Sequence, residues 1–365
     1  MNIPHALARW PQAAALGLAI ALLLPAARPA AADPATPVVA TRQLGYVPVS
    51  GEGAVYVIDT ATQTLLKKIA DVGSHPTVLR MLPDRSKIYV DNFGPERGEI
   101  AVIDTRTDTV VKKIPTHGLP FASIQLSPDG RFLYVPTSAS LMQVIDTRSD
   151  QVVRSFALPG SPIAIEISPD GQRLYVFFSD STVAPYDAQT GTPLRPRLPV
   201  QGVGPDWGAL SADGNKLYAM NELSDSISVI DTQAWAVVKN LTLPPGSAPV
   251  SGTLTPDGSQ LYVCNVGTRT IAIVDTRTDT VAKVVPTKHA PVVVGFSADG
   301  RRAYVSDLGA ASPAFSAPLG GTIGLAFFSF QPGLPGNVVT YDTRTHQPIG
   351  RPVLTGTGPI VGVYD

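Results

Sequence analysis

Residues 126–153 read LSPDGRFLYVPTSASLMQVIDTRSDQVV. Apolar and polar positions alternate here in short bursts. A Pro-Asp-Gly turn leads into Phe132–Val135. A polar hairpin follows, then Leu141–Ile145 runs into Asp146-Thr147, and Val152-Val153 opens a third burst. This two-residue period predicts half-buried β-strands, not helices.

Most of the chain repeats the pattern. An Ile-Asp-Thr-like corner occurs at Asp59, Asp104, Asp146, Asp187, Asp231, Asp275 and Asp342, in steps of 45, 42, 41, 44, 44 and 67 residues. A Pro/Ala-Asp-Gly turn precedes an aromatic strand at Asp129, Asp170, Asp213, Asp257 and Asp299. A degenerate copy stands at Asp84, where Arg85 replaces Gly. A repeat of this length made of short strands predicts a propeller blade. Strand one is an apolar run such as Phe121–Leu126 or Ile163–Ile167. Strand two carries Leu-Tyr-Val, as at Leu133–Val135, Leu174–Val176 and Leu261–Val263. Strand three runs into the corner, as at Ile100–Ile103 and Ile227–Ile230. Strand four is Val110–Ile114 or Val152–Phe156. Asp-Gly suits a tight turn, because Gly accepts positive φ. The corner aspartates can accept the backbone amides just ahead of them, so they punctuate the repeat and are not an acid/base set.

The first unit lacks strand one, and residues 359–364 resemble it. The expectation is an all-β fold: a seven-bladed β-propeller of four-stranded antiparallel blades, with the C-terminal strand completing blade one. Sealing the ring removes an open sheet edge.

The 32 Gly and 35 Pro, spread along 365 residues, agree with a turn-rich fold. Residues 1–32 fall outside the repeat. Arg9, the apolar run Ala13–Leu24 and Ala30-Ala31-Ala32 make a secretory signal peptide, with cleavage near Ala32-Asp33. The propeller then spans 33–365, and the address is periplasmic or secreted, with no membrane span after signal removal. Residues 1–32 hold two arginines and no acid, which leaves 26 basic and 29 acidic side chains. No basic run stands out, which argues against nucleic-acid binding. Cys264 is the sole cysteine, so there is no internal disulfide and no thiolate zinc cluster. A monomer is expected.

The strand-two ends then carry a family resemblance. Tyr-Val-Asp-Asn (Tyr89–Asn92), Tyr-Val-Pro-Thr (Tyr134–Thr137), Tyr-Ala-Met-Asn (Tyr218–Asn221) and Tyr-Val-Cys-Asn (Tyr262–Asn265) resemble the YVTN-type β-propeller repeat. The resemblance covers nearly all of the mature chain. It implies a propeller, in a family that includes surface-layer and periplasmic binding proteins. Related propellers include sugar lactonases and quinone-linked dehydrogenase components. Fold alone does not choose among these.

Function is sought where units depart from the repeat, on the face formed by the joins between blades and the loops between strands two and three. The largest departure is the insertion 308–337 in the last blade, with Phe315, Phe327, Phe328 and Phe330. It reads either as an apolar flap over the channel mouth or as a hairpin packed on its own blade. His75, His117 and His289 lie in equivalent loops leading into strand one. Such a rim is a candidate site for a divalent metal, copper or zinc, or plain turn residues. His346 falls toward the opposite face. Asp206-Trp207 opens strand one of blade five, and Trp207 either lines the channel or belongs to the core. Asn92, Glu222, Asn265, Arg269 and Asp307 are candidate hydrogen-bonding groups on the same face. No G-x-S-x-G, H-E-x-x-H, phosphate-binding Gly-rich loop or C-x-x-C-H is present. The reading is an exported scaffold that binds a small molecule or protein at its loop face. The alternative is a propeller enzyme, a lactonase-like hydrolase or a metal- or quinone-linked oxidoreductase subunit, using the His rim.

Overall fold

In the computed structural model of the protein, residues 43–94, 98–120, 123–309, 335–360 and 362–364 are described. Each corner aspartate ends a third strand, and seven four-stranded antiparallel sheets form a ring. The inner strands of blades two to seven are Pro76–Met81, Gln125–Leu126, Pro162–Ile167, Pro205–Leu210, Pro249–Leu254 and Pro291–Phe296. Blade three keeps only the end of its expected Phe121–Leu126 strand, plus a bridge from Pro120 to Thr137. Phe121 and Ala122 lie outside the described residues.

The sequence pattern explains which strand goes where. Second and third strands are covered on both faces by neighbouring blades, so Leu133–Thr137 and Met142–Ile145 are buried throughout. Outer strands face water on one side and alternate, as in Gln151–Ala157. Between blades four and five the seam is Ile163, Phe177, Val183, Leu217, Ala219 and Ile230. Each of these side chains larger than alanine contributes roughly 1.5–3 kcal/mol of burial. Cys264, in the second strand of blade six, is likewise buried, its thiol pushed up to about 12 by burial.

The turns behave as their residues require. Asp146 Oδ1 accepts the Arg148 and Ser149 amides at 3.0 Å, and the other six corners do the same. In the Asp-Gly turns, Asp129 accepts the Arg131 amide at 3.0 Å and the Ser127 hydroxyl.

Blade one joins both ends of the fold. Val363–Tyr364 pairs antiparallel with Leu44–Val49, matching Tyr364 to Gly45 and Val363 to Tyr46. Ile360 N–H donates to Pro48 O at 3.1 Å, and Ser50 N–H to Gly358 O at 2.9 Å. The Tyr364 ring stacks on Tyr304 of blade seven, centroids 4.5 Å apart. A Cβ on Gly295 would lie 2.3 Å from that ring and one on Gly45 2.6 Å from it, so two glycines form the slot that receives it.

A second device links blades at the rim. The fourth residue after each corner aspartate has positive φ: Gln63, Asp108, Asp150, Gly191, Trp235, Asp279 and His346. In five seams it meets the strand-two tyrosine of the preceding blade. Tyr46, Tyr89 and Tyr218 donate to Asp108, Asp150 and Asp279. Tyr175 stacks on Trp235, and Tyr262 bonds His346 Nδ1 at 3.0 Å. At the seventh seam Gln63 instead grips the backbone of blade seven, through Ile349 O and Arg351 N–H. Outer-strand lysines add bonds to the same corners: Lys67 to Thr107 O, Lys112 to Ser149 O and Lys239 to Thr278 O.

Candidate functional site

At the join face, the strand-two ends are structural. Asn92, Asn221 and Asn265 are fully buried, and Asp307 is 3 % exposed. Asn92 donates to Val72 O, and Asn265 to Thr270 Oγ1. Asp307 Oδ1 accepts Gly309 N–H at 2.8 Å and Asn337 Nδ2 at 2.9 Å. It therefore clasps the two ends of the insertion. Residues 310–334, with Phe315, Phe327, Phe328 and Phe330, lie outside the described residues. Arg269 is exposed in a positive-φ turn, and its carbonyl accepts Thr287 N–H and Oγ1.

The histidines do not converge. Among the described residues no three His, Cys, Asp or Glu side chains gather as a metal site. His75, His117 and His289 belong to three different joins, and the ring holds those joins apart. His75 bonds Ser74 Oγ at 2.9 Å, and its pKa is lowered by burial. His117 is exposed, and His289 offers its carbonyl to Thr287.

Asp206 and Glu222 do meet. Asp206 sits in the bulge between Pro205 and Trp207, and Glu222 starts the short turn after the second strand of the same blade. One carbonyl, Gly204 O, accepts both amides, at 2.9 and 2.8 Å. The two buried carboxyls are hydrogen-bonded. Ionised carboxylates only accept, so this bond needs a proton. Burial, then Asp206, lifts Glu222 far above the carboxylate range, so the pair holds one proton between its two carboxyls at neutral pH.

Deeper in, the inner strands place one residue per blade opposite the strand-two tyrosine: Val363, Arg80, Gln125, Glu166, Ala209, Thr253 and Gly295. Three consecutive blades make a polar arc. Arg80 Nε donates to Gln125 Oε1 at 3.1 Å and Nη1 to Leu79 O at 3.1 Å, while Gln125 also bonds Glu166. Blades five to seven answer with Ala, Thr and Gly. The difference leaves a cavity of about 370 Å³, lined by Arg80, Glu166, Trp207, Leu254, Phe296 and Tyr364 among others. Trp207 is 7 % exposed; it belongs to the core and also shows an edge to this cavity. Burial raises Glu166 to about 8, against the pull of Arg80 and Gln125. Burial also raises Asp91 to about 7, although it accepts Thr77 Oγ1 and Val78 N–H.

Sequence reasoning passed over Arg80 and Glu166. The signal was there: PTVLRM and PIAIEI each carry one charge inside an otherwise apolar inner strand.

No protein-family model matches the sequence, and no curated protein matches it. Solved structures do match in fold. Hydrazine synthase from Kuenenia stuttgartiensis superposes with TM-score 0.63 at 20% identity, over 78% of this chain and 87% of that one. Dihydro-heme d1 dehydrogenase NirN, in complex with DHE, gives 0.64 at 16%, over 87% and 74%. A functionally unknown protein from Desulfotomaculum acetoxidans gives 0.66 at 15%, over 87% and 99%. At these identities the likeness is one of fold.

Proposed function

We propose that the chain is an exported binding propeller of the YVTN type that takes a small polar ligand into its central channel. The observation that carries this reading is the asymmetry of the channel. Arg80 and Glu166, bridged by Gln125, face a wall of Ala209, Thr253 and Gly295 across the cavity. A purely structural ring would repeat one small residue in every blade. Convergent polar groups in a partly apolar pocket are what a small-ligand site needs. The test is a thermal-shift screen of polar metabolites against the mature protein, repeated on Arg80→Met. A ligand that stabilises the parent and not the variant supports the reading. Hits that persist in Arg80→Met, or none in the parent, overturn it.

A catalytic reading rests on one other observation, the Asp206–Glu222 pair. A carboxylic acid held protonated at neutral pH is a general acid in search of a leaving group. If the chain turns over a lactone or ester, Glu222→Gln loses the activity while retaining the fold. Turnover unchanged in that variant removes this reading.

A further inference from the structure

The rim seam between blades three and four differs from the others. Its corner position is Gly191, which has no side chain to offer Tyr134. The reason is local: a Cβ there would lie 2.2 Å from the Phe156 ring of the outer strand. A notch of about 740 Å³ opens instead, with Arg131, Phe132, Tyr134 and Arg154 in its lining. Among the described residues, Tyr134 Oη makes no hydrogen bond. Arg154 makes neither hydrogen bond nor ion pair, and its Nε is buried. In blades one, two and five the equivalent outer-strand lysine bonds the next corner. Arg154 does not; its guanidinium lies over the Phe132 ring at 5.4 Å, a ring that Arg131 also approaches at 5.0 Å.

The molecule itself shows what such a notch accepts. At two sister seams a carboxylate lies between the tyrosine hydroxyl and a cation: Asp150 with Tyr89 and Lys87, and Asp279 with Tyr218 and Lys216. We propose that the notch between blades three and four binds a small ionised carboxylic acid, which takes the place of the absent corner carboxylate. Tyr134 Oη donates one hydrogen bond, and Arg154 supplies the charge that lysine supplies elsewhere.

The acidic side chains of the notch are already committed, and Arg154 helps to hold Asp187 ionised. Asp129, Asp170 and Asp187 also line the notch. Each is engaged by its own turn, accepting the amides of Arg131, Gln172 and Gln189 at 3.0 Å. The filled seams are no less acidic: Asp84 and Asp146 act on Tyr89, and Asp213 and Asp275 on Tyr218. Those seams hold their carboxylate with one lysine; here Arg154 takes that part, while Arg131 Nε lies 3.8 Å from Asp146 Oδ2 and is already paired.

The experiment is a nuclear magnetic resonance titration of the mature protein with acetate at constant ionic strength, with sulfate as the anion control. Saturable shifts confined to the notch are expected, weakened at least tenfold in Tyr134→Phe and in Arg154→Gln. Tyr134→Phe should melt with the parent, because its hydroxyl has no partner among the described residues, while Tyr89→Phe melts lower. Phe156→Val combined with Gly191→Asp fills the notch from within and should abolish the acetate response. Should this pair fail to fold, the two single variants decide. Unsaturable shifts, shifts unchanged in Tyr134→Phe and Arg154→Gln, or sulfate binding as tightly as acetate would each overturn the assignment.

Discussion

At the scale of single residues, the rim contacts give the sharpest expectations. Tyr218 Oη donates to Asp279 Oδ1 at 2.8 Å while Lys216 reaches the other oxygen at 2.8 Å. Tyr218→Phe leaves a carboxylate with one partner fewer and should cost about 1–2 kcal/mol in chemical denaturation. Gly295→Ala should cost more, about 2–3 kcal/mol, because its Cβ would overlap the Tyr364 ring. If Gly295→Ala unfolds at the parent's denaturant midpoint, the slot does not tie blades seven and one together. The tyrosines and the corner aspartates were plain in the sequence. Their pairing was not: the partner of Tyr218 stands 61 residues further on, in the next blade, and only the ring brings it near.

At the scale of elements, the inner strands decide the chemistry. Their bursts announced burial, and burial is what they have. Arg80 and Glu166 were hidden because one charge in a short apolar run does not change its period. Asn92 and Asn265 looked available because the loop beside them is exposed, yet as strand ends they are buried, Asn92 bonded to the preceding join and Asn265 to the first residue of the next strand. Glu166 makes an expectation in pH. Its folded pKa, about 8, lies above the ordinary carboxylate value, so the folded state keeps a proton that the unfolded chain releases. That contribution is full below about pH 4 and is lost as pH rises towards 8. Asp91 acts in the same direction, up to about 7. Glu166→Gln, neutral throughout, should gain on the parent as pH rises. The gain is about 1–2 kcal/mol between pH 5 and pH 8.5, with solvent in the channel damping the effect. His346 runs the other way: burial, then Lys283, lowers its pKa, so its contact with Tyr262 loses stability as pH falls through that value. His346→Asn should make denaturant midpoints less sensitive to acid below pH 6. Equal acid sensitivity in parent and variant would show that the imidazole does not titrate with folding.

At the scale of the molecule, seven corners and a displaced inner strand were enough to foretell a closed seven-bladed ring. The function was less legible, since a propeller draws its site from one residue in each of several blades. The His rim illustrates the difficulty. Equivalent loops in sequence are spread around a circle in space, so a repeated residue need not be a gathered one. Removing residues 359–365 should replace the single cooperative melt with a broad transition at lower temperature, read by calorimetry. A sharp melt at the parent's temperature would mean that the ring does not depend on that strand.

The rim contacts are also a map of stiffness. Six seams are fastened at the turn face by the side chain at the corner position; the seam at Gly191 lacks that fastening and is tied only further in, where Ser123 and Gln125 bond the Ile165 backbone. A wheel fastened unevenly does not flex evenly. Amides flanking that seam, in 132–137 and 182–187, should exchange their hydrogens sooner than their counterparts in 216–221 and 270–275, as the more weakly tied neighbours open first. A guest lodged at Gly191 would then act as a missing rivet. Its arrival would be felt around the wheel as a loss of play, with every blade keeping its shape.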